Sequence, residues 1–580
     1  MADSTSNPKP TSNPKPTSNP KPSSNQKPTS NREANLKTIE DLDRRLEENA
    51  RAGSDEAIAK QHSKGKLTIP ERLDLLFDPD TSRFEVGAFA ASGNYEEHGR
   101  IESAGVRTVL GTVSGHDCIV IANDSMVKSG TWFPLTIKKI LRAQQIGMEN
   151  RLPLIYLVDS GGLFLPLQHD SFPDHDHAGR IFYNNARLSA MGVPQIAAVM
   201  GPCVAGGAYI PALCDEILMV KGTSGIFLGG PYLVKAAIGE EADIEALGGS
   251  STHTRLSGMA DFEDEDDASC LARVRRLAAQ WPDSGSSAYA ESAGRAPTAE
   301  QDPTEERPPA AEQRPATDSE RLLDLLPADR RSAYDTRDIL DSITDAESWE
   351  EYKEDYGKSL VTGTARIGGR VVGIVASQRL NTKTAKGEMR IGGVIYSDSA
   401  DKAARFVLNC NQKKVPLIFV QDVTGFMVGT RAEQGGIIKD GAKLVNAVSN
   451  SEVPKITLVI GNSYGAGNYA LCGRAFGPRF MLAWPSAQIA VMGGDQAADT
   501  ILSIEKAKAP EGLGEEVEQT ILDEIRGTYE ATASPYHAAA HLWVDAIIDP
   551  RATRDVLKHL LRVACRVAPE QGMRVGVFQV

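Results

Sequence analysis

Hydrophobic and polar positions alternate along this chain in one recurring order. Short unbroken apolar runs, such as Leu154 to Val158 and Ile456 to Ile460, have strand length, and each leads through a Gly-rich turn into a helical pattern. Longer amphipathic helices are predicted over Thr136 to Asn150 and Ser399 to Gln412, each just ahead of such a strand. Strand, turn and helix in repeated alternation predict an α/β fold with short sheets between helical layers, rather than a barrel or an all-helical array. The apolar runs fall far short of the roughly 20 residues that a membrane helix needs.

The pattern occurs twice. RLPLIYLVDSGGLFLP, with Leu154 to Asp159, lines up with KVPLIFVQDVTGFMVG, with Leu417 to Asp422. Further on, GVPQIAAVMGPCVAGGAYIPALC (192 to 214) lines up with EVPKITLVIGNSYGAGNYALC (452 to 472), and IFLGG (226 to 230) answers AVMGG (490 to 494). Three collinear matches at a shift of about 260 residues point to internal duplication. Two segments lie outside the repeat. Residues 1–33, built on TSNPKP hexads, lack the apolar surface to offset ordering and are expected to be a disordered tail. Residues 283–320, rich in Ser, Ala, Pro and Glu, are expected to be a flexible linker between domains at 34–282 and 321–580.

Composition narrows the function classes. With 580 residues, 41% hydrophobic and 24% charged, the chain can bury two ordinary cores. A net charge of −14 argues against nucleic-acid binding, so any phosphate site must be a local basic patch. The seven cysteines include no C-x-x-C, which speaks against a zinc ribbon or a disulfide framework, and the N-terminus has no apolar leader; a cytoplasmic location and no membrane association are expected.

Three motifs overlap at one turn. Gly461 to Gly465 fits the G-x-S-x-G nucleophile elbow, with Asp545 and His559 as triad candidates, yet the duplicate places Cys203 where Ser463 stands. Gly465 to Ala470 fits the G-x-G-x-x-A dinucleotide fingerprint, but no acidic residue occurs from Ala466 through Gly494 to hold a ribose. The reading that serves both halves is paired backbone N–H donors for a developing oxyanion, at Gly206/Gly207 with Gly161/Gly162 and at Ala466/Gly467 with Gly425/Phe426. His169, His175 and His177 among aspartates lack the spacing of a metal site, and no metal is expected. Lys138, Lys139, Arg142 and Arg255 are candidates for the phosphates of an anionic ligand.

Several stretches carry a family resemblance: QHSKGKLTIPERLDLLFDP (61 to 79), KKILRAQQIGMENRLPLIYLVDSGG (138 to 162), FPDHDHAGRIFYNNAR (172 to 187), TGFMVGTRAEQGGIIKDGAKLVNAV (424 to 448), GNSYGAGNY and AVMGGDQAA. The chain resembles the carboxyltransferase (beta) subunits of biotin-dependent acyl-CoA carboxylases, most of all the 3-methylcrotonyl-CoA and geranyl-CoA branch. That resemblance implies two tandem crotonase-like domains, with acyl-CoA on the first and biotin on the second domain of a neighbouring subunit. It also implies a hexameric core joined to a biotin carboxylase and biotin carboxyl carrier (alpha) subunit. No A-M-K-M biotinylation site or ATP-grasp loop occurs in the chain, so carboxybiotin is expected from that partner. It assigns Gly206 and Gly207 to the thioester oxygen and Ala466, Gly467, Gly425 and Phe426 to biotin. Alternatives that use other chemistry are a serine hydrolase at Ser463 and a non-catalytic scaffold; propionyl-, acetyl- or geranyl-CoA carboxylase subunits and a decarboxylase subunit are the related enzymes.

Overall fold

The structure, a computed structural model, describes residues 31–50, 53–281, 318–325, 327, 329, 332–509, 513–567 and 572–580. Residues 1–30 of the expected tail and 283–317 of the expected linker lie outside the described residues. A helix begins at Asn31 and a 3-10 turn at Ser319, both within the spans expected for the tail and the linker. The chain divides into Met1–Arg51 and Ala52–Val580. In the first unit the helix Asn31–Ala50 carries ion pairs at one-turn spacing, Arg44 to Glu48 and Arg45 to Asp41 at 2.6 and 2.7 Å.

The second unit contains two sheets of one design. In the first, Val106–Val113 and His116–Asn123 form an antiparallel hairpin, and Leu154–Ser160, Gln195–Val204, Glu216–Val220 and Phe262–Asp264 follow in parallel. In the second, the hairpin is Leu360–Ile367 with Arg370–Ser377, and Leu417–Val423, Lys455–Tyr464, Phe480–Ala483 and Ala546–Ile547 follow in the same order. A short strand, Gly225–Phe227 or Gln488–Ala490, pairs with the far end of the long central strand in each half.

The apolar runs are unbroken because both faces of each sheet are covered. Ile155 and Leu157 point toward the helices Ile69–Leu76 and Asp267–Ala278, while Leu154, Tyr156 and Val158 point the other way. In the second half Ile418 and Val420 meet Thr336–Ile343 and Thr553–Ala564, and Leu417 and Phe419 turn inward. The inward faces, with helices Ala178–Ala190 and Ile437–Ser449 packed on one another, form one continuous core across both halves.

The predicted helices before the strands run over Pro134–Asn150 and Ser397–Gln412. The Thr136 hydroxyl accepts the Phe133 N–H at 3.0 Å, and the Ser399 hydroxyl accepts that of Tyr396 at 2.9 Å, so both begin with the same cap. One turn later each buries a lysine. Lys139 reaches Ser103 and Glu85, and Lys402 donates to the Leu360 carbonyl; burial pushes each ammonium down to about 8.

Candidate active site

Each half breaks strand register at the same place. Between Leu154–Ser160 and Gln195–Val204 the pairing shifts between Val158 and Ser160, and between Leu417–Val423 and Lys455–Tyr464 it shifts between Gln421 and Val423. The residue in the shift is a buried aspartate both times. Asp159 is met by Lys66 at 2.5 Å and Arg72 at 3.4 Å. Asp422 accepts the Asn462 N–H at 2.8 Å and the Tyr334 hydroxyl at 2.7 Å, with Arg379 at 3.3 Å. Opposite each lies a glycine that must stay one. A Cβ on Gly201 would stand 1.9 Å from the Asp159 carboxylate oxygen, and one on Gly461 would stand 2.4 Å from Asp422 Cγ.

Beyond the shift the long strand turns into a helical start. Ala205 and Gly465 take positive φ, 55° and 52°, and the chain enters Ala205–Ala208 in one half and Gly465–Ala470 in the other. Gly206, Gly207, Ala466 and Gly467 are thus first-turn residues, whose N–H groups have no acceptor within their own helix. A Cβ on Gly467 would meet Val423 at 2.6 Å and Gly425 Cα at 3.3 Å, so the Ala466/Gly467 and Gly425/Phe426 segments lie against each other. Gly425 and Phe426 form a short parallel pairing with Val394 and Ile395.

One expectation requires correction. Gly161 and Gly162 sit beside the first turn, but the Gly161 N–H already donates to the Ser129 carbonyl at 3.0 Å and the Gly162 N–H to the Ser160 hydroxyl at 3.1 Å. Bonded amides are not open donors.

The two turns lie close together in a single chain, within 8 Å Cα to Cα. Aromatic rings fill the space around them: Phe182 and Tyr469 at 5.6 Å between centroids, Phe182 and Trp132 at 6.2 Å, Tyr209 and Phe426 at 6.1 Å. The packing of Ala178–Ala190 on Ile437–Ser449 brings the two turns of one chain near each other. Of these aromatic residues sequence reasoning singled out Phe426 alone, and for its backbone N–H rather than its ring. Their apolar spacing reads only as core, whereas Asp159 and Asp422 stood at matching places in the repeat.

The nucleophile reading fails on geometry. Ser463 is fully buried, its hydroxyl donates to Gln421 at 2.5 Å and accepts from Asn468 at 2.8 Å, and Asp545 is engaged by Arg474 and the Met481 N–H. The basic stripe also splits. Lys138 and Arg142 are exposed, while Lys139 points inward to Glu85 and is removed from the phosphate candidates. Arg255 is exposed, with Glu263 at 3.0 Å. In the histidine loop His177 accepts the Asp174 N–H at 3.2 Å, and among the described residues no group of His, Cys, Asp and Glu is arranged to hold a metal. All seven cysteines are free thiols, six of them buried. No helix among the described residues is long and apolar enough to cross a membrane.

Fold and site define a duplicated α/β protein in which one strand-to-helix turn, with first-turn N–H groups that have no acceptor in their own helix, occurs once in each half. Residues 60–571 match the carboxyl transferase domain, and the chain belongs to that family. It is 43% identical over 551 residues to the biotin-dependent 3-methylcrotonyl-coenzyme A carboxylase beta1 subunit of Mycobacterium tuberculosis, covering 94% of this chain and 98% of that one. To the mitochondrial methylcrotonoyl-CoA carboxylase beta chain of Arabidopsis thaliana it is 43% identical, covering 91% and 86%. The crystal structure of the P. aeruginosa geranyl-CoA carboxylase beta subunit aligns over 94% of this chain and 96% of that one, at 34% identity and a TM-score of 0.41. The chain is a carboxyltransferase subunit of the biotin-dependent acyl-CoA carboxylases, built as two crotonase-like halves.

Proposed function

We propose that this subunit carboxylates 3-methylcrotonyl-CoA, with the first half, 34–282, holding the acyl-CoA and the second, 321–580, holding biotin. The observation that carries the reading is the pair of matched helical starts, one in each half, that lie close together in the chain. Gly206 and Gly207 present N–H groups to the thioester oxygen, where negative charge develops as the substrate becomes an enolate. Ala466 and Gly467, beside Gly425 and Phe426, present theirs to the ureido oxygen of biotin. Bound carboxybiotin supplies the carboxyl group and, once relieved of it, the base. The chain itself therefore needs no catalytic side chain, in keeping with a Ser463 locked in internal hydrogen bonds. At Gly467 a Cβ would strike Val423, so this turn is packed too closely for any side chain. Trp132, Phe182 and Tyr209, all at most 1% exposed, keep the surroundings dry, so each donor acts in a low dielectric.

Lys138, Arg142 and Arg255 are the exposed cations assigned to the CoA phosphates. The partner is an alpha subunit with biotin carboxylase and biotin carrier functions, the assembly a hexameric core, and the compartment the cytoplasm. Co-purification with the partner, followed by bicarbonate fixation on acetyl-, propionyl-, 3-methylcrotonyl- and geranyl-CoA, tests the reading. Highest kcat/KM on 3-methylcrotonyl-CoA is expected, and a preference for another thioester would reassign the substrate while leaving the reaction.

A further inference from the structure

A few residues past the glycine turn of each half, one side chain crosses to the opposite half and accepts a hydrogen bond from the backbone of its Gly-Gly loop. Gln168, 3% exposed, takes the N–H of Val491 at 3.1 Å. Glu433, 1% exposed, takes the N–H of Leu228 on Oε1 at 2.7 Å, with the Gly229 N–H as a second donor. The contacts are alike in topology and unlike in chemistry, since an amide stays neutral at every pH and a carboxyl does not.

Two backbone N–H groups offset only part of the cost of burying a charge on Glu433. Its Oε2 has no hydrogen-bond partner among the described residues, and neither has the hydroxyl of Tyr209, the titratable group that faces it from the helix Tyr209–Ala212. The other ionisable groups on the surrounding elements are engaged elsewhere: Glu240 with Thr430, Arg431 with Glu388, Asp440 with Lys443, Glu245 with Ser251, and His253 with the Ile226 carbonyl. Burial accordingly pushes the Glu433 carboxyl up to about 8. The clasped loop continues directly from the strand Gly225–Phe227, which pairs with Pro202 to Val204 just before the Gly206/Gly207 turn. Glu433 itself lies on the segment that carries Gly425 and Phe426.

We propose that Glu433 is a positioning residue for carboxyl transfer that works as the neutral acid, fixing the acyl-CoA loop against the biotin-side turn, and that ionisation opens this contact because a charge on the unpartnered Oε2 must reach water. The proposal rests on the assignment of the two turns to acyl-CoA and biotin. Copy one makes a reciprocal contact with a neutral amide, Gln168 to the Val491 N–H.

The test compares wild type with Glu433→Gln in the assembled carboxylase, reading kcat/KM for the acyl-CoA from pH 7 to pH 9, and the melting of the full chain from pH 5 to pH 9. Wild type is expected to fall about tenfold between pH 7 and pH 9, the loss of neutral acid for a group titrating near 8, while Glu433→Gln changes less than about twofold. The sign in melting is fixed as well. An acid kept neutral in the fold but ionised in the unfolded chain loses stability relative to the amide as pH rises from about 4.3 to 8, and no further above that. Gln168→Glu provides a second arm and should add an alkaline loss of its own. Parallel activity profiles, a pH-independent melting difference, or an inert Gln168→Glu would each overturn the proposal. A wild-type complex that carboxylates no acyl-CoA would overturn the carboxyltransferase assignment instead, and the melting comparison would still decide the state of Glu433.

Discussion

The two halves repeat a backbone and vary the side chains around it. Both shift register at an aspartate, both turn at a positive φ, and both open a helix with free N–H groups at that point. Around this common frame Asp159 is neutralised by Lys66 and Arg72, whereas Asp422 relies on a tyrosine hydroxyl, a backbone N–H and Arg379. Cys203 stands where Ser463 stands, and Ala205 where Gly465 does. What the duplication holds constant is the strand-to-helix turn with its first-turn N–H groups, while the side chains beside it differ between the halves.

Removing the donors should have the largest effect. Gly206→Pro and Ala466→Pro each delete one N–H near a helix start, and each should lower kcat about 10²- to 10³-fold; because Ala205 and Gly465 hold a positive φ that a following proline disfavours, melting of each variant is measured alongside. A loss confined to one half would break the equivalence. The same two variants decide which turns work together. Because the turns lie close together within one chain, oligomers mixed from the two variant chains should stay inactive; recovery toward about a quarter of sites, the random-mixing value for a two-fold pair, would assign the working pair to neighbouring subunits.

The paired lysines give the next effect. Lys139 has Glu85 beside it, whereas Lys402 rests on a carbonyl, so Lys139→Met should destabilise by about 2–3 kcal/mol and Lys402→Met by less. Each is held down to about 8, below the usual lysine value, so the charged form is the disfavoured one in the fold. Wild type should therefore gain stability relative to either variant as pH rises from about 8 to 10.4, by ~1–3 kcal/mol, measured by denaturant unfolding across that window. The smallest effect is expected at Ser463. With its hydroxyl buried between Gln421 and Asn468, Ser463→Ala should keep transfer within about twofold and cost about 1 kcal/mol, measured by bicarbonate fixation and melting.

Much of this was legible in the sequence, for identifiable reasons. Unbroken apolar runs with glycine turns at a constant shift announce two sheets covered on both faces, and the helix limits at Asn150 and Gln412 fall where the periodicity ends. The phosphate stripe was misread at Lys139 because neighbouring helix positions lie about 100° apart, so Lys138 and Lys139 do not share a face. Gly161 and Gly162 carried the right residue type, but whether an N–H is free depends on Ser129 and Ser160, whose approach no local pattern encodes. Glu433 and Gln168 escaped notice because each acts on the opposite half, across a separation that periodicity does not report.

The continuous interior between the sheets has a consequence for how such a protein can change. A free-standing half would present to water the helix faces that now contact its twin, an apolar surface large enough to drive association. Fusion of the repeats therefore removed the option of separate lives: either half can drift toward a new ligand only at a pace the other's surface will accommodate.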